Sequence, residues 1–145
     1  MEAENRGIDQ VVFDYIIDAY AKSSFYQLLG LKIRSLAPGK AEIMAETDIK
    51  HSNAQGMVHG GLFMTAADSA MGNAIRTLGI KAVTVDCSIS FLAPAQFGKD
   101  IMAAGEIIKS GRQIFFTEAR VFSEGKLLAT AKASFYKVGI IGEEV

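Results

Sequence analysis

One carboxylate stands out in the sequence because it interrupts a long apolar segment. Asp68 lies within residues 61–77, where apolar side chains fall on nearly every side of a helix, so this helix is predicted to be buried. A carboxylate that projects from a buried helix needs a partner or a function. Asp68 is therefore a candidate general base or nucleophile. The alternative is a structural aspartate that hydrogen-bonds to backbone groups or to Arg76.

A pair of glycines, Gly60 and Gly61, stands where this helix is predicted to begin. The first turn of a helix carries unpaired N–H groups and a partial positive charge, which suit an oxyanion that develops during a reaction. Glycine also lets a carbonyl group approach the backbone closely. The Gly60 N–H is a candidate oxyanion donor and Gly61 a candidate substrate contact. The alternative is that the pair serves only the turn from loop to helix.

Three further polar residues lie near this helix in the sequence. Asn53 can donate a hydrogen bond that orients an acyl carbonyl or a water, but most loop asparagines cap turns. His59 could act as a base, and a histidine before a glycine pair is more often structural, so we assign it a supporting role in shaping the loop. Thr84 is predicted to share the polar face of a strand with Asp86. We interpret Asp86 as a structural polar residue.

The elements that must position these residues follow from the spacing of apolar side chains. An amphipathic helix is predicted over 8–22 behind an Asp9 N-cap, and then a hairpin that turns at Pro38-Gly39. Residues 51–61 form a loop that leads into the central helix. Four strands follow, and their short connections predict an antiparallel meander over 83–91, 101–108, 113–122 and 127–138.

This order of elements predicts an α+β fold in which a large antiparallel sheet wraps around a central helix. The chain has 145 residues, which suits one domain with one core. Within it, residues 1–24 are predicted to be an N-terminal helical segment and residues 25–139 the core of the fold.

Composition and charge exclude several classes of function. Fifteen basic residues against sixteen acidic ones give a net charge of −1, so no nucleic-acid partner is expected. Cys87 is the single cysteine and is accompanied by two histidines, so neither an internal disulfide nor a zinc site is expected. The N-terminus has no signal-peptide pattern, and no window approaches the ~20 apolar residues of a membrane span. We expect a soluble, cytoplasmic protein with no membrane partner.

The motif residues together resemble a known family. The segment 51–61, followed by Ala67-Asp68 and by 83–86, is similar to the hotdog-fold acyl-CoA thioesterases of the phenylacetate-degradation type. The likeness covers about residues 25–139, and its Asn, Gly, His-Gly-Gly and helical Asp elements occur in one order. The resemblance implies a hotdog fold, hydrolysis of an acyl-CoA thioester, and a dimer or a dimer of dimers. No metal and no organic cofactor is expected.

The resemblance also implies roles for single residues. It places the catalytic carboxylate at Asp68 and the oxyanion-hole amide at Gly60, and it favours a catalytic role for Asn53. It further implies that Thr84 holds the attacking water, against the alternative of an ordinary strand threonine.

Substrate contacts are less well marked in the sequence. Lys109 and Arg112 flank a predicted hairpin tip and are candidates for the CoA phosphates, although charged hairpin tips are mostly just solvated. Met64 is a candidate for the acyl pocket, in which aryl or medium aliphatic groups would fit, but it could equally be core. The same is true of Met57, Phe63 and Phe91.

Two other functions are compatible with the sequence. A hotdog-fold hydratase or dehydratase would use His59 with Asp68, although the proline-rich segment that we associate with dehydratases is absent. A non-catalytic acyl-CoA-binding module is the second alternative.

The helix geometry adds an expectation about the subunits. Asp68 follows Gly60 by eight residues, or about 12 Å along a helix axis, so one thioester cannot touch both on the same helix. Each site is therefore predicted to span two subunits related by a two-fold axis.

Overall fold

Seven strands and three α-helices make up the part of the chain that the computed structural model describes, residues 2–143. A 3-10 turn, Ile49–His51, precedes the loop that leads to the third helix. In chain order the elements are β1 (Glu4–Asn5), α1 (Gln10–Ala21), α2 (Ser24–Leu29), β2 (Lys32–Ala37), β3 (Lys40–Glu46), α3 (Gly60–Arg76), β4 (Ile80–Phe91), β5 (Asp100–Ser110), β6 (Ile114–Ser123) and β7 (Lys126–Ile140).

The strands form one sheet in the order β1-β2-β3-β5-β6-β7-β4. Every pair is antiparallel except β1 with β2. Helix α3 packs against the sheet through its buried residues, which include Ala66, Ala67, Ala70, Met71 and Ala74. The predicted α+β class, with an antiparallel sheet around a central helix, is confirmed.

The place of β4 in the sheet differs from the prediction. Strands β5, β6 and β7 form the expected meander, but β4 pairs with β7 at the end of the sheet and not with β5. The prediction was wrong because the link over residues 92–99 crosses to another part of the sheet instead of turning back as a hairpin. As a result, one edge of the twelve-residue strand β4 has no partner strand among the described residues.

Helix α3 lies very close to the sheet at a glycine of β5. A Cβ atom added to Gly105 would lie 2.5 Å from the carbonyl carbon of Ala70 and 2.7 Å from the Met71 nitrogen. Real side chains do not tolerate such distances, so only glycine lets the helix backbone lie this near the strand. The contact fixes the height of α3 above the sheet, and with it the position of every side chain on the helix.

The N-terminal segment packs against α3, where Tyr20 contacts Ser69. The Asp9 carboxylate caps α1 as predicted, since it accepts hydrogen bonds from the backbone N–H groups of Val11 and Val12. Helix α2 was not predicted, and it ends at Gly30, whose φ of +71° favours glycine. The predicted helical segment 1–24 also contains β1, which joins the sheet beside β2. No helix within residues 2–143 is long and apolar enough to cross a membrane.

Candidate active site

The candidate site is centred on Asp68, at the point where α3 faces β4. The Thr84 hydroxyl donates a hydrogen bond to Oδ1 of Asp68 at 2.7 Å. No other hydrogen bond to Asp68 occurs within residues 2–143, so its second carboxylate oxygen stays free for chemistry. Both residues line a cavity of about 430 Å³ between α3, β4 and the N-terminal helices. Thr84 therefore orients the carboxylate without blocking it.

A β-bulge directs Thr84 toward Asp68. Strict alternation predicted that Thr84 lies on the polar face with Asp86, and this prediction was wrong. Thr84 pairs with the buried Phe135, but Asp86 pairs with the next residue of β7, Ser134, so Val85 is an extra residue in β4. The extra residue shifts the alternation by one position. Thr84 then faces the helix, on the same side as the half-buried Cys87.

The Asp68 carboxylate forms no ion pair with any side chain of residues 2–143. Arg76 lines the same cavity but forms no ion pair with the carboxylate, so the alternative of an Asp68–Arg76 pair is not what the structure shows. No three His, Cys, Asp or Glu side chains in this part of the chain are grouped to hold a metal ion.

Cys87 is the other side chain near Asp68 with nucleophilic potential. Burial raises the pKa of the Cys87 thiol, and the negative charges of Asp68 and Asp86 raise it further. The thiolate is the nucleophilic form of cysteine. Because the thiol stays protonated, Asp68 is the better candidate for nucleophile or base.

The start of α3 leaves one backbone donor available. His59 is the N-cap of the helix, and its Nδ1 atom accepts a hydrogen bond from the Gly61 N–H at 2.7 Å. The Gly61 N–H is thereby occupied, whereas the Gly60 N–H has no acceptor within residues 2–143. A Cβ atom on Gly60 would lie 2.8 Å from the Phe91 ring, so a side chain there would collide with that ring.

The two ends of the Asn53 amide have different roles. Its Oδ1 atom accepts hydrogen bonds from the backbone N–H groups of Gln55 and Met57, at 2.9 and 3.0 Å. The Nδ2 group has no acceptor within the described chain. The oxygen therefore holds the turn, as a loop asparagine usually does, while the amide nitrogen remains free to donate.

Sequence reasoning missed a histidine that fixes this loop. His51 is buried, its Nδ1 atom accepts the Asp48 N–H at 3.0 Å, and its Nε2 atom donates to the Leu29 carbonyl at 2.7 Å. Asp48 and His51 have the spacing of a capping box, and this spacing is the signal that could have identified His51 as a structural residue. His51 ties the loop that carries Asn53 to the end of α2.

The other predicted contacts lie apart from Asp68 within one chain. Lys109 pairs in register with Phe116, then Ser134 and then Asp86, so it lies three strand spacings, about 14 Å, from β4. Arg112 is exposed at the tip of the same hairpin. Of the predicted acyl contacts, Phe63 belongs to the core, while Met57, Met64 and Phe91 are exposed.

Three residues in the wall of the cavity were not predicted. Tyr20 of α1 comes within 2.9 Å of the Ser69 hydroxyl on α3, and Asn73 lies one turn further along α3. Ser69 and Asn73 are polar residues in a mostly apolar helix, which was the available signal. Tyr20 gave no signal, because its partner lies 49 residues away in the sequence.

Comparison with known proteins places these features in a family. Residues 55–130 match the family model described as the Thioesterase superfamily. The human protein named acyl-coenzyme A thioesterase 13 is 33% identical over 123 residues, which cover 81% of this chain and 88% of the relative.

Solved structures share the fold. The Escherichia coli PaaI protein from the phenylacetic acid degradation operon superposes with a TM-score of 0.86 at 22% identity, over 93% of this chain and 99% of that one. The smu.793 protein of Streptococcus mutans, solved bound to acetyl CoA, has a TM-score of 0.73 at 25% identity, over 77% of this chain and 90% of that one. The predicted hotdog fold is confirmed.

Proposed function

Because the chain belongs to the thioesterase superfamily, as a PaaI-like hotdog thioesterase, we propose that it hydrolyses an acyl-CoA to the free acid and CoA with Asp68 as the reacting carboxylate. The protein is a thioester hydrolase. The observation that carries the assignment of Asp68 is its hydrogen bond to Thr84 at 2.7 Å beside an open cavity. One carboxylate oxygen is held in place, and the other is free to react.

Two routes use this carboxylate. In the first, the free Asp68 oxygen attacks the acyl carbon, the C–S bond breaks, CoA leaves as the thiolate, and water then hydrolyses the anhydride. In the second, Asp68 takes a proton from a water that attacks the same carbon, and the C–S bond breaks with the same leaving group. A thiolate departs without strong acid assistance, so neither route needs a second acid. Thr84 fixes the carboxylate in the first route, and in the second it also lies beside the attacking water.

The oxyanion donor in this proposal is the Gly60 N–H, held free at the start of α3. His59 occupies the neighbouring Gly61 N–H, so it positions the helix start and leaves one donor for the substrate. The free amide nitrogen of Asn53 is the second donor for the carbonyl or the water. The exposed cations of Lys109 and Arg112 suit the CoA phosphates.

Each site is proposed to be shared by two copies of the chain. Gly60 and Asp68 are eight residues apart on one helix, so about 12 Å separates them along the axis. The free edge of β4 is a template for strand pairing, and Val83 and Val85 on this strand are 51% and 62% exposed. A two-fold axis at this edge sets two α3 helices antiparallel, so that Asp68 approaches the partner's Gly60. The assembly is a dimer, or a dimer of such dimers.

A panel of acyl-CoA esters with a thiol-trapping dye tests the function. The wild-type protein is expected to release CoA thiol from at least one ester, while the Asp68→Asn protein serves as the matched control. A crotonyl-CoA hydration assay run in parallel identifies a hydratase if water is added without thiol release. Tight binding of acyl-CoA with neither reaction, unchanged by Asp68→Asn, would instead indicate a binding module.

A further inference from the structure

The cavity beside Asp68 is also lined by a group of polar side chains that the proposed hydrolysis does not use. Asn73, Ser69 and Tyr20 all line it, and each of the three is at least nine-tenths buried. Asn73 is only 4% exposed. We call these three buried residues the polar floor of the cavity; Asp68 and Thr84, which also line it, are more exposed.

One atom of the polar floor lacks a partner. The Nδ2 group of Asn73 donates to the Ser69 carbonyl oxygen at 2.8 Å and lies 3.4 Å from the Ser69 hydroxyl. Because that carbonyl can only accept, the amide nitrogen must face it, and Oδ1 must point away. Oδ1 is the one buried side-chain oxygen or nitrogen within residues 2–143 that has no hydrogen bond. A buried acceptor without a donor is costly, so a ligand that supplies the donor gains affinity.

The rest of the polar floor is neutral. Burial raises the pKa of the Tyr20 phenol, so Tyr20 stays uncharged and shares a hydrogen bond of 2.9 Å with Ser69. The acceptor on Asn73 is uncharged as well. A neutral donor such as a hydroxyl matches this floor, whereas a carboxylate would bring two more acceptors to it.

We propose that Asn73 is a specificity-determining residue whose Oδ1 atom accepts a hydrogen bond from a hydroxyl on the acyl group, an inference that rests on the proposed thioesterase function. Asn73 follows Asp68 by five residues, about 7.5 Å along the helix axis, so the hydroxyl lies several bonds from the thioester carbon. Oδ1 has almost no accessible surface in this structure. The acyl group must therefore displace part of the cavity wall, which includes the Phe25 ring of α2, 55% exposed.

The test compares two esters of equal length, 6-hydroxyhexanoyl-CoA and heptanoyl-CoA, in which a methyl group replaces the hydroxyl. The ratio of their kcat/KM values is expected to fall about tenfold or more from wild type to Asn73→Leu, a substitution that removes the acceptor and keeps the volume. Thr77→Val is the matched control, because Thr77 is the buried polar C-cap residue of α3 and does not line the cavity. It should leave the ratio unchanged.

The outcomes separate this inference from the function on which it rests. Thiol release from both esters with a ratio that falls less than tenfold in Asn73→Leu overturns the role of Asn73 and leaves the thioesterase intact. If another acyl-CoA releases thiol but neither of these two esters does, the inference fails and the thioesterase function stands. If no acyl-CoA releases thiol, both the function and the inference fail. Asn73→Ala, judged by the same ratio, replaces Asn73→Leu if circular dichroism shows that the leucine protein does not fold.

Discussion

Replacing Asp68 with asparagine is expected to lower kcat by about 10²–10⁴ or more, with a much smaller effect on KM. Asparagine has nearly the same volume, and its side-chain oxygen can still accept the hydrogen bond that Thr84 donates to Asp68. The fold should survive, because Asp68 is only partly buried and forms no ion pair. What the variant lacks is the nucleophile or base. Steady-state hydrolysis of the best acyl-CoA, followed by thiol release, measures the loss.

Asp86→Asn is the matched control for this substitution. Asp86 carries the same charge on β4, two residues from Thr84, but the bulge turns it to the exposed face of the sheet. The control protein should keep nearly full activity. If Asp68→Asn kept more than about a tenth of the wild-type kcat, Asp68 would not be the reacting carboxylate.

Asn53→Asp is expected to lower kcat by about 10²–10³, the usual loss when one donor to a developing oxyanion is removed. A carboxylate oxygen can still accept from the Gln55 and Met57 N–H groups, so the turn is kept, whereas the amide donor is lost. Thermal unfolding should therefore change little. Asn53→Ala removes the turn hydrogen bonds too and should lower both kcat and the melting temperature.

Thr84→Ala is the comparison for Asn53. Thr84 is exposed, so a solvent molecule can partly replace its hydroxyl beside Asp68, and the loss of kcat should be smaller than for either Asn53 variant. Equal and negligible losses at the two positions would leave Asn53 as a turn residue and Thr84 as an ordinary strand residue.

The sequence was sufficient for features that depend on neighbours along the chain. Helix α3, the Asp9 cap and the β2–β3 hairpin follow from periodicity and turn residues, which act over a few positions. The place of β4 depends on which distant strand it pairs with, and no local pattern records that choice. The same limit applies to the contact of Tyr20 with Ser69.

At the candidate site, the sequence singled out Asp68 as a candidate but did not predict its geometry. Regular alternation predicted that Thr84 points away from the helix. The bulge at Val85 could not be predicted, because a single extra residue leaves no mark in a strand of mixed polarity. For Asn53, the turn and the donor appeared as alternatives. In the structure, the Asn53 side-chain oxygen holds the turn, and the amide nitrogen remains free to donate a hydrogen bond.

In the proposed dimer, Asp68 of one subunit acts with Asn53 and Gly60 of the other, and a mixed dimer of two inactive variants distinguishes this arrangement from a site within one chain. Asp68→Ala and Asn53→Ala chains are co-expressed with different tags, and the dimer that carries both tags is purified. With shared sites, one of its two sites receives Asp68 and Asn53 intact, so about half of the wild-type activity should return. If each site lay within a single chain, both sites would be damaged, so a mixed dimer as inactive as either parent would show that the sites are not shared.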